Sequence, residues 1–240
     1  MGEAISDRDV VRALRPFVRA TGPVLDALRE VNLLGLRDRS LEASADRKVV
    51  DKLWDQLARV KVPGTAGWAA MDLDQRDEWW LNRVGRVVSL LAAIPGVGGA
   101  LADRLPIQSS LGAAGQGLLL SALAGERGIT TTEDRVRLIA HVLFQREVDG
   151  RAVDPDEDRR TAELTEELDR STFKAIGRTI WKLARVLWSL EDELDKRPHG
   201  RFYHQALGAL PVVGVVGDYL GERSGLRRVR KAAYEWFGAQ

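Results

Sequence analysis

Apolar positions recur along this chain at helical spacing almost from end to end. Val10, Val11, Leu14 and Val18 share a face behind Ser6 and Asp9, a pair with the spacing of a capping box. Pro16 is expected to kink this first helix and Gly22-Pro23 to break it. Pro23 would then open a second helix, carrying Val24, Leu28 and Val31 and stopping at Gly35. Ser40 caps a third, with a stripe of Val49, Val50, Leu53, Trp54, Leu57 and Val60. Residues 62–68 (VPGTAGW) read as a turn. Asp72 or Asp74 caps a long helix that runs through Trp79 and Trp80 into the most apolar part of the chain.

That part, Val84 to Gly125, is what the other elements are organised around. Its only charges are Arg86, Asp103 and Arg104. Pro95 and the glycines after it predict a break, and Pro106 suits the start of the next helix. Ser109, Ala113, Gly117, Ser121 and Gly125 stand four apart, so a helix places them on one face where a neighbour can approach closely. Gly85, Ser89 and Ala93 repeat the device, as do Gly217, Gly221 and Gly225. The uncharged run at 105–125 is long enough to enter a bilayer. Its serines, glutamines and glycines favour burial inside protein over a lipid-facing hairpin. A shorter segment, residues 206–221, repeats the pattern of Pro followed by Val and Gly, around Pro211.

After Gly128, Thr131 and Asp134 cap a helix with Val136, Ile139, Ala140 and Leu143 along one side. Residues 149–160 (DGRAVDPDEDRR) read as a solvated linker in which nothing is buried. Phe173, Ile176, Ile180, Leu183, Leu187, Leu190 and Leu194 form a heptad-like seam. Its flanking charges are basic first and acidic later, against the helix dipole, which suits an antiparallel partner helix in this chain or in a twin. The last helix, Ser224 to Phe237, sets Leu226, Val229, Ala233 and Trp236 against Arg227, Arg228, Arg230 and Lys231. Basic amphipathic helices with terminal aromatics suit anionic membrane surfaces, and equally a packed helix with a solvated face.

Composition narrows the chemistry. The 240 residues carry 36 basic and 35 acidic side chains, a net charge of +1 that offers no general attraction to nucleic acid. With no cysteine, disulfides and thiolate metal sites are excluded. Gly112 to Gly117 has phosphate-loop glycine spacing without the Lys-Ser/Thr that must follow. The Asp154, Asp156, Asp158 alternation lacks the glycine and terminal glutamate of a calcium loop. His199 and His204 stand at a spacing unsuited to one metal. No catalytic residue, metal site or cofactor is therefore assigned. Asp72, Asp74, Asp77 and Glu78 read as capping and solvating a helix start. Asp103 and Asp218, at the edges of the apolar segments, read as helix caps or as partners of Arg104 and Arg223, with a facing pair or a site for a cation or polar head group as the alternative.

The segments IPGVGGALADRLPIQSSLGAAGQGLLLSALA, ITTTEDRVRLIAHVLF, ALPVVGVVGDYL and RRVRKAAYEWF together resemble the EcsC-like family, over about Val84 to Phe237. Gly125-Glu126-Arg127-Gly128 stands where that family has a Tyr-Gly element, and Asp218 where it often has Asn. The resemblance implies a bacterial helical protein linked to membrane transport or secretion, and it implies no catalytic residues.

The expectation is an all-α bundle of about eight helices with a kinked Gly/Pro-rich apolar pair at its centre. Residues 1–70 form a helical extension and 71–240 the EcsC-like domain. The expected function is a non-enzymatic, cytoplasmic, membrane-peripheral binding or scaffolding protein. Lipid or ligand would touch Gly98, Ala113, Gly117, Ser121, Gly214 and Gly217. Arg227, Arg228, Arg230, Lys231 and Trp236 would face the membrane. One alternative is a soluble adaptor that forms a homodimer through 172–196. Another is an enzyme on an apolar substrate with Asp103, Asp218 or His141 as acid or base.

Overall fold

Among the described residues the regular structure is wholly helical: α1 (Asp7–Glu30), α2 (Ala66–Ala69), α3 (Leu73–Ala93), α4 (Ile107–Glu126), α5 (Thr132–Phe144), α6 (Glu157–Thr165), α7 (Phe173–Asp195) and α8 (Val215–Gly238). The computed structural model describes residues 6–30, 63, 65–93, 107–152, 154–168, 173–195 and 215–239. The expected helices between Val31 and Val60, the kinks at Pro95 and Pro211, and residues Gly98, Asp103, His199, His204 and Gly214 lie outside them.

Local chemistry sets the helix ends. Ser6 and Asp9 close a reciprocal cap, each backbone N–H meeting the other's side chain at 3.2 Å. Asp72, not Asp74, caps α3, accepting from the Gln75 N–H at 2.8 Å. Thr131 caps α5 through the Asp134 N–H. α4 stops in a paired turn: Gly128 takes φ 74°, its N–H bonds to Gly125, and the Ile129 N–H reaches back to Ala124 at 2.9 Å. Residues 66–69, read from sequence as part of a turn, form one helical turn capped by Thr65.

α4 is the hub. It packs against α1, α3, α5, α7 and α8. Leu118, Leu119, Leu120, Leu123 and Ala124 are all buried, so the helix is enclosed on every side, as a rod apolar all round must be. Gly117 forms a notch in it. A Cβ built there would lie 2.5 Å from Phe17 Cζ and 2.8 Å from Cε1, so the ring of α1 occupies the space a side chain would need. Gly115 similarly faces Val88 of α3, and Gly85 faces Leu226 of α8. The close approach expected of the small-residue faces is present at Gly117 and Gly85, where an inserted side chain achieves it, while Gly217 and Gly221 lie outside the described side chains.

α1 departs from expectation. It runs unbroken from Asp7 to Glu30 with Pro16 and Pro23 inside. An interior proline costs about 3 kcal/mol. Beyond Pro23, Val24, Leu25 and Leu28 are buried, and each such side chain contributes about 1.5–3 kcal/mol. Packing therefore carries the helix past the proline. α1 also contacts α4, α5, α6 and α7, so this part of the N-terminal region is built into the core.

The α7 seam is occupied within the chain. Ile176, Ile180, Leu183, Leu187 and Leu190 are buried, with α1 and α4 as the main neighbours of α7. Its basic half meets acid from the turn after α6: Arg178 pairs with Glu167 at 2.9 Å, and Lys182 Nζ lies 3.8 Å from both Glu166 and Glu167. The seam proposed for a twin thus faces its own chain. Among the described residues, no helix is long and apolar enough to cross a membrane.

Candidate functional site

α8 presents two faces. Leu226, Val229, Ala233 and Trp236 are buried against the core, as their spacing predicts. Ser224, Arg227, Arg228, Lys231 and Glu235 are exposed along the opposite side, at intervals of three and four. No ion pair within the described residues engages Arg227 or Arg228, while Lys231 lies 4.0 Å from Glu235. Arg230 differs from its neighbours: it is half-buried and pairs with Glu78 of α3 at 2.8 Å. Trp236, expected at a membrane surface, is instead only 7% exposed and stacks edge-on with Phe237. Of the five residues expected on the membrane face, three remain available. The apolar stripe that would have inserted is in use against the core.

The residues expected to touch lipid divide similarly. Ala113, Gly117 and Ser121 are buried in the interior, with Phe17 and Leu187 beside Gly117. They are packing positions here. Ser121 Oγ finds no hydrogen-bond partner. Gly217 and Asp218 fall within α8, and their surroundings lie outside the described side chains. His141 is partly exposed and pairs with Glu147 on the surface, remote in character from a buried acid–base site. Among the described residues no group of acidic or histidine side chains could hold a metal ion.

Beneath the basic stripe lies a cluster that sequence reading missed. Asp77 is fully buried, although it reads as a solvated residue near a helix start. Both its oxygens meet Arg127, at 2.6 and 3.2 Å, and the Tyr234 hydroxyl donates to it at 2.6 Å. Tyr234 also reaches Asp74 at 3.1 Å. The Arg127 guanidinium lies over two rings of α8, 4.9 Å from Tyr234 and 4.6 Å from Phe237. Burial and then the bond to Asp77 push the Tyr234 hydroxyl well above its ordinary range. Burial opposes the charge on Arg127, but Asp77 and Tyr234 outweigh it and the net shift is upward. Arg127 and the Tyr234 hydroxyl therefore both keep their protons at neutral pH. The cluster joins α8 to α3 and to Arg127, the residue that follows α4.

A signal for Asp77 existed. Positions 77, 80, 81, 84 and 88 share one helical face, and Trp80, Leu81, Val84 and Val88 are all buried. Extending that stripe one turn toward the N-terminus reaches Asp77.

A second cluster ties the supposed linker down. Arg15 donates to Glu157 at 2.6 Å, to Glu133 at 2.8 Å and to the Gly150 carbonyl at 2.9 Å. Arg19 adds Glu157 at 3.2 Å and Asp158 at 2.6 Å. Glu157, inside the stretch expected to be solvated, is buried. The bond to Glu157 leads the causes that raise the Arg15 pKa, and Arg15 in turn holds the Glu133 carboxyl below its usual range. Gly150 makes the approach workable. It takes φ 72°, and any Cβ there would collide with the Glu133 backbone. Nothing in the sequence signals this pairing, because its members lie more than a hundred residues apart.

Comparison of the chain with family profiles, with characterised proteins and with solved structures finds no match.

Proposed function

We propose that this protein is a non-enzymatic binding or scaffolding protein that docks on the cytoplasmic face of an anionic membrane through the outer face of α8. The observation that carries this reading is the exposed stripe of Arg227, Arg228 and Lys231, set on a helix whose other face is bolted to the core by Arg230–Glu78 and by the Asp77–Arg127–Tyr234 cluster. A rigidly held row of cations binds a charged surface without first having to order itself. The resemblance of residues 84–237 to the EcsC-like family supports a membrane setting. Because Trp236 and the apolar stripe are packed inward, this mode reads head-group charge and inserts nothing.

Each basic side chain held near an anionic bilayer contributes about fivefold to partitioning, so three give roughly a hundredfold. Sedimentation with vesicles tests this. The protein should pellet with phosphatidylglycerol-rich vesicles at low salt, and release at high salt as screening shortens the reach of the charges. The variant R227E/R228E/K231E should stay in solution under both conditions. Wild-type protein that ignores anionic vesicles at low salt, or a charge-reversed variant that still binds them, removes the proposal.

A further inference from the structure

Between Phe144 and Leu168, both buried, the chain contributes almost nothing apolar to the core. Among the described residues of that stretch only Gly150 and Glu157 are buried, while Val148, Ala152 and Leu164 pack partly against the core. What holds the stretch in place is charge. Arg146 pairs with Asp7, and Glu147 with His141. Arg15 holds Glu133, Glu157 and the Gly150 carbonyl, and Arg19 holds Glu157 and Asp158. Arg151 adds its field at Glu133, and Arg160 pairs with Asp154 at 3.0 Å. On the side of α7, Lys182 donates to the Glu163 carbonyl at 2.9 Å and faces Glu166 and Glu167. α6 itself has nine residues, short of the ~12–15 that make an isolated helix even marginal in water.

We infer that Gln145–Ala152 together with α6 forms a charge-clamped strap over α1, which opens as a unit while the bundle beneath stays closed. The clamp is Arg15 and Arg19. Cooperative sub-units with few buried apolar contacts open at lower free energy than the core. Here opening and local melting coincide, because α6 loses its helix once it leaves the two arginines.

Hydrogen exchange on the intact protein at neutral pH, read by mass spectrometry, tests the device. Amides of Thr161 to Thr165 should exchange at least about a hundredfold faster than those of Leu118 to Leu123 in α4. In R15Q/R19Q the α6 amides should speed up a further ~10–100-fold, the worth of charge-assisted bonds, with those of α4 unchanged. Equal protection of α6 and α4 in the wild-type protein overturns the inference. So does an acceleration shared by both helices in the variant, or by neither. Should the double variant not fold, E157Q keeps the side-chain volume, removes the buried charge that both arginines share, and is read by the same criteria.

Discussion

One methyl group placed at two glycines of α4 should have opposite effects. A Cβ at Gly117 would meet Phe17 Cζ at 2.5 Å and Cε1 at 2.8 Å. Carbon atoms rest at about 3.5–4.0 Å, so the ring would have to withdraw by roughly 1 Å. Phe17 is fully buried on a helix that is itself wedged among four others, so it has little room to do so. Overpacking of this kind costs ~1–3 kcal/mol, and such a short approach belongs at the upper end. Replacing a helical glycine by alanine returns about 1 kcal/mol in backbone entropy. The net for Gly117→Ala is therefore a loss of about 2 kcal/mol. At this chain length that lowers Tm by about 4–8 °C. Gly112, on the same helix, has no atom within 4 Å of such a Cβ. Gly112→Ala keeps only the backbone gain and should raise Tm by about 2–4 °C. Calorimetry of both variants decides the matter, and a double-mutant cycle sharpens it. Phe17→Leu removes the clashing atoms, so Gly117→Ala should cost nothing further in that background. If Gly117→Ala melts no lower than wild type, or if Phe17→Leu fails to absorb its effect, the notch is not what seats α1 on α4.

Other outcomes follow from the charged clusters. Asp77→Leu strands the Arg127 guanidinium among rings and should cost about 3–5 kcal/mol in urea denaturation, whereas Tyr234→Phe removes one bond to a charged acceptor and should cost about 1.5–3 kcal/mol. Acid should act through Glu133. Its folded pKa is depressed by Arg15 below the ordinary 4.5, so its stabilisation is complete above that value and is lost as pH falls through the depressed one. Glu133→Gln should flatten that limb of the stability–pH curve and leave the neutral region with a small, pH-independent loss. Thr131→Ala removes the side-chain cap of α5 and should lower stability by about 1 kcal/mol, measured in the same urea titration.

What could be read from sequence is what repeats at a fixed interval. The four buried positions of α8, the α7 seam from Ile176 to Leu190 and the Thr131 and Ser6 caps are local or periodic features, and they stand in the structure where spacing puts them. Pro23 misled because propensity is local and the burial of Leu25 and Leu28 is not. Arg15 and Glu157 were invisible for the same reason: ion pairs between distant segments leave no periodic trace. Trp236 shows the remaining weakness. An aromatic beside a basic run fits a membrane surface and a core equally well, and only the identity of the facing surface separates them.

The latch between α3, α4 and α8 has a consequence for synthesis. Asp77 and Arg127 are made well before Tyr234 and Phe237, since Tyr234 lies 107 residues after Arg127, on the order of ten seconds of elongation. Through that interval Asp77 and the side of α3 around Gly85 have no lid. A nascent chain of this protein should therefore be a client for chaperones until Tyr234 and Phe237 emerge, and truncations that stop short of Tyr234 should be degraded in cells and not accumulate.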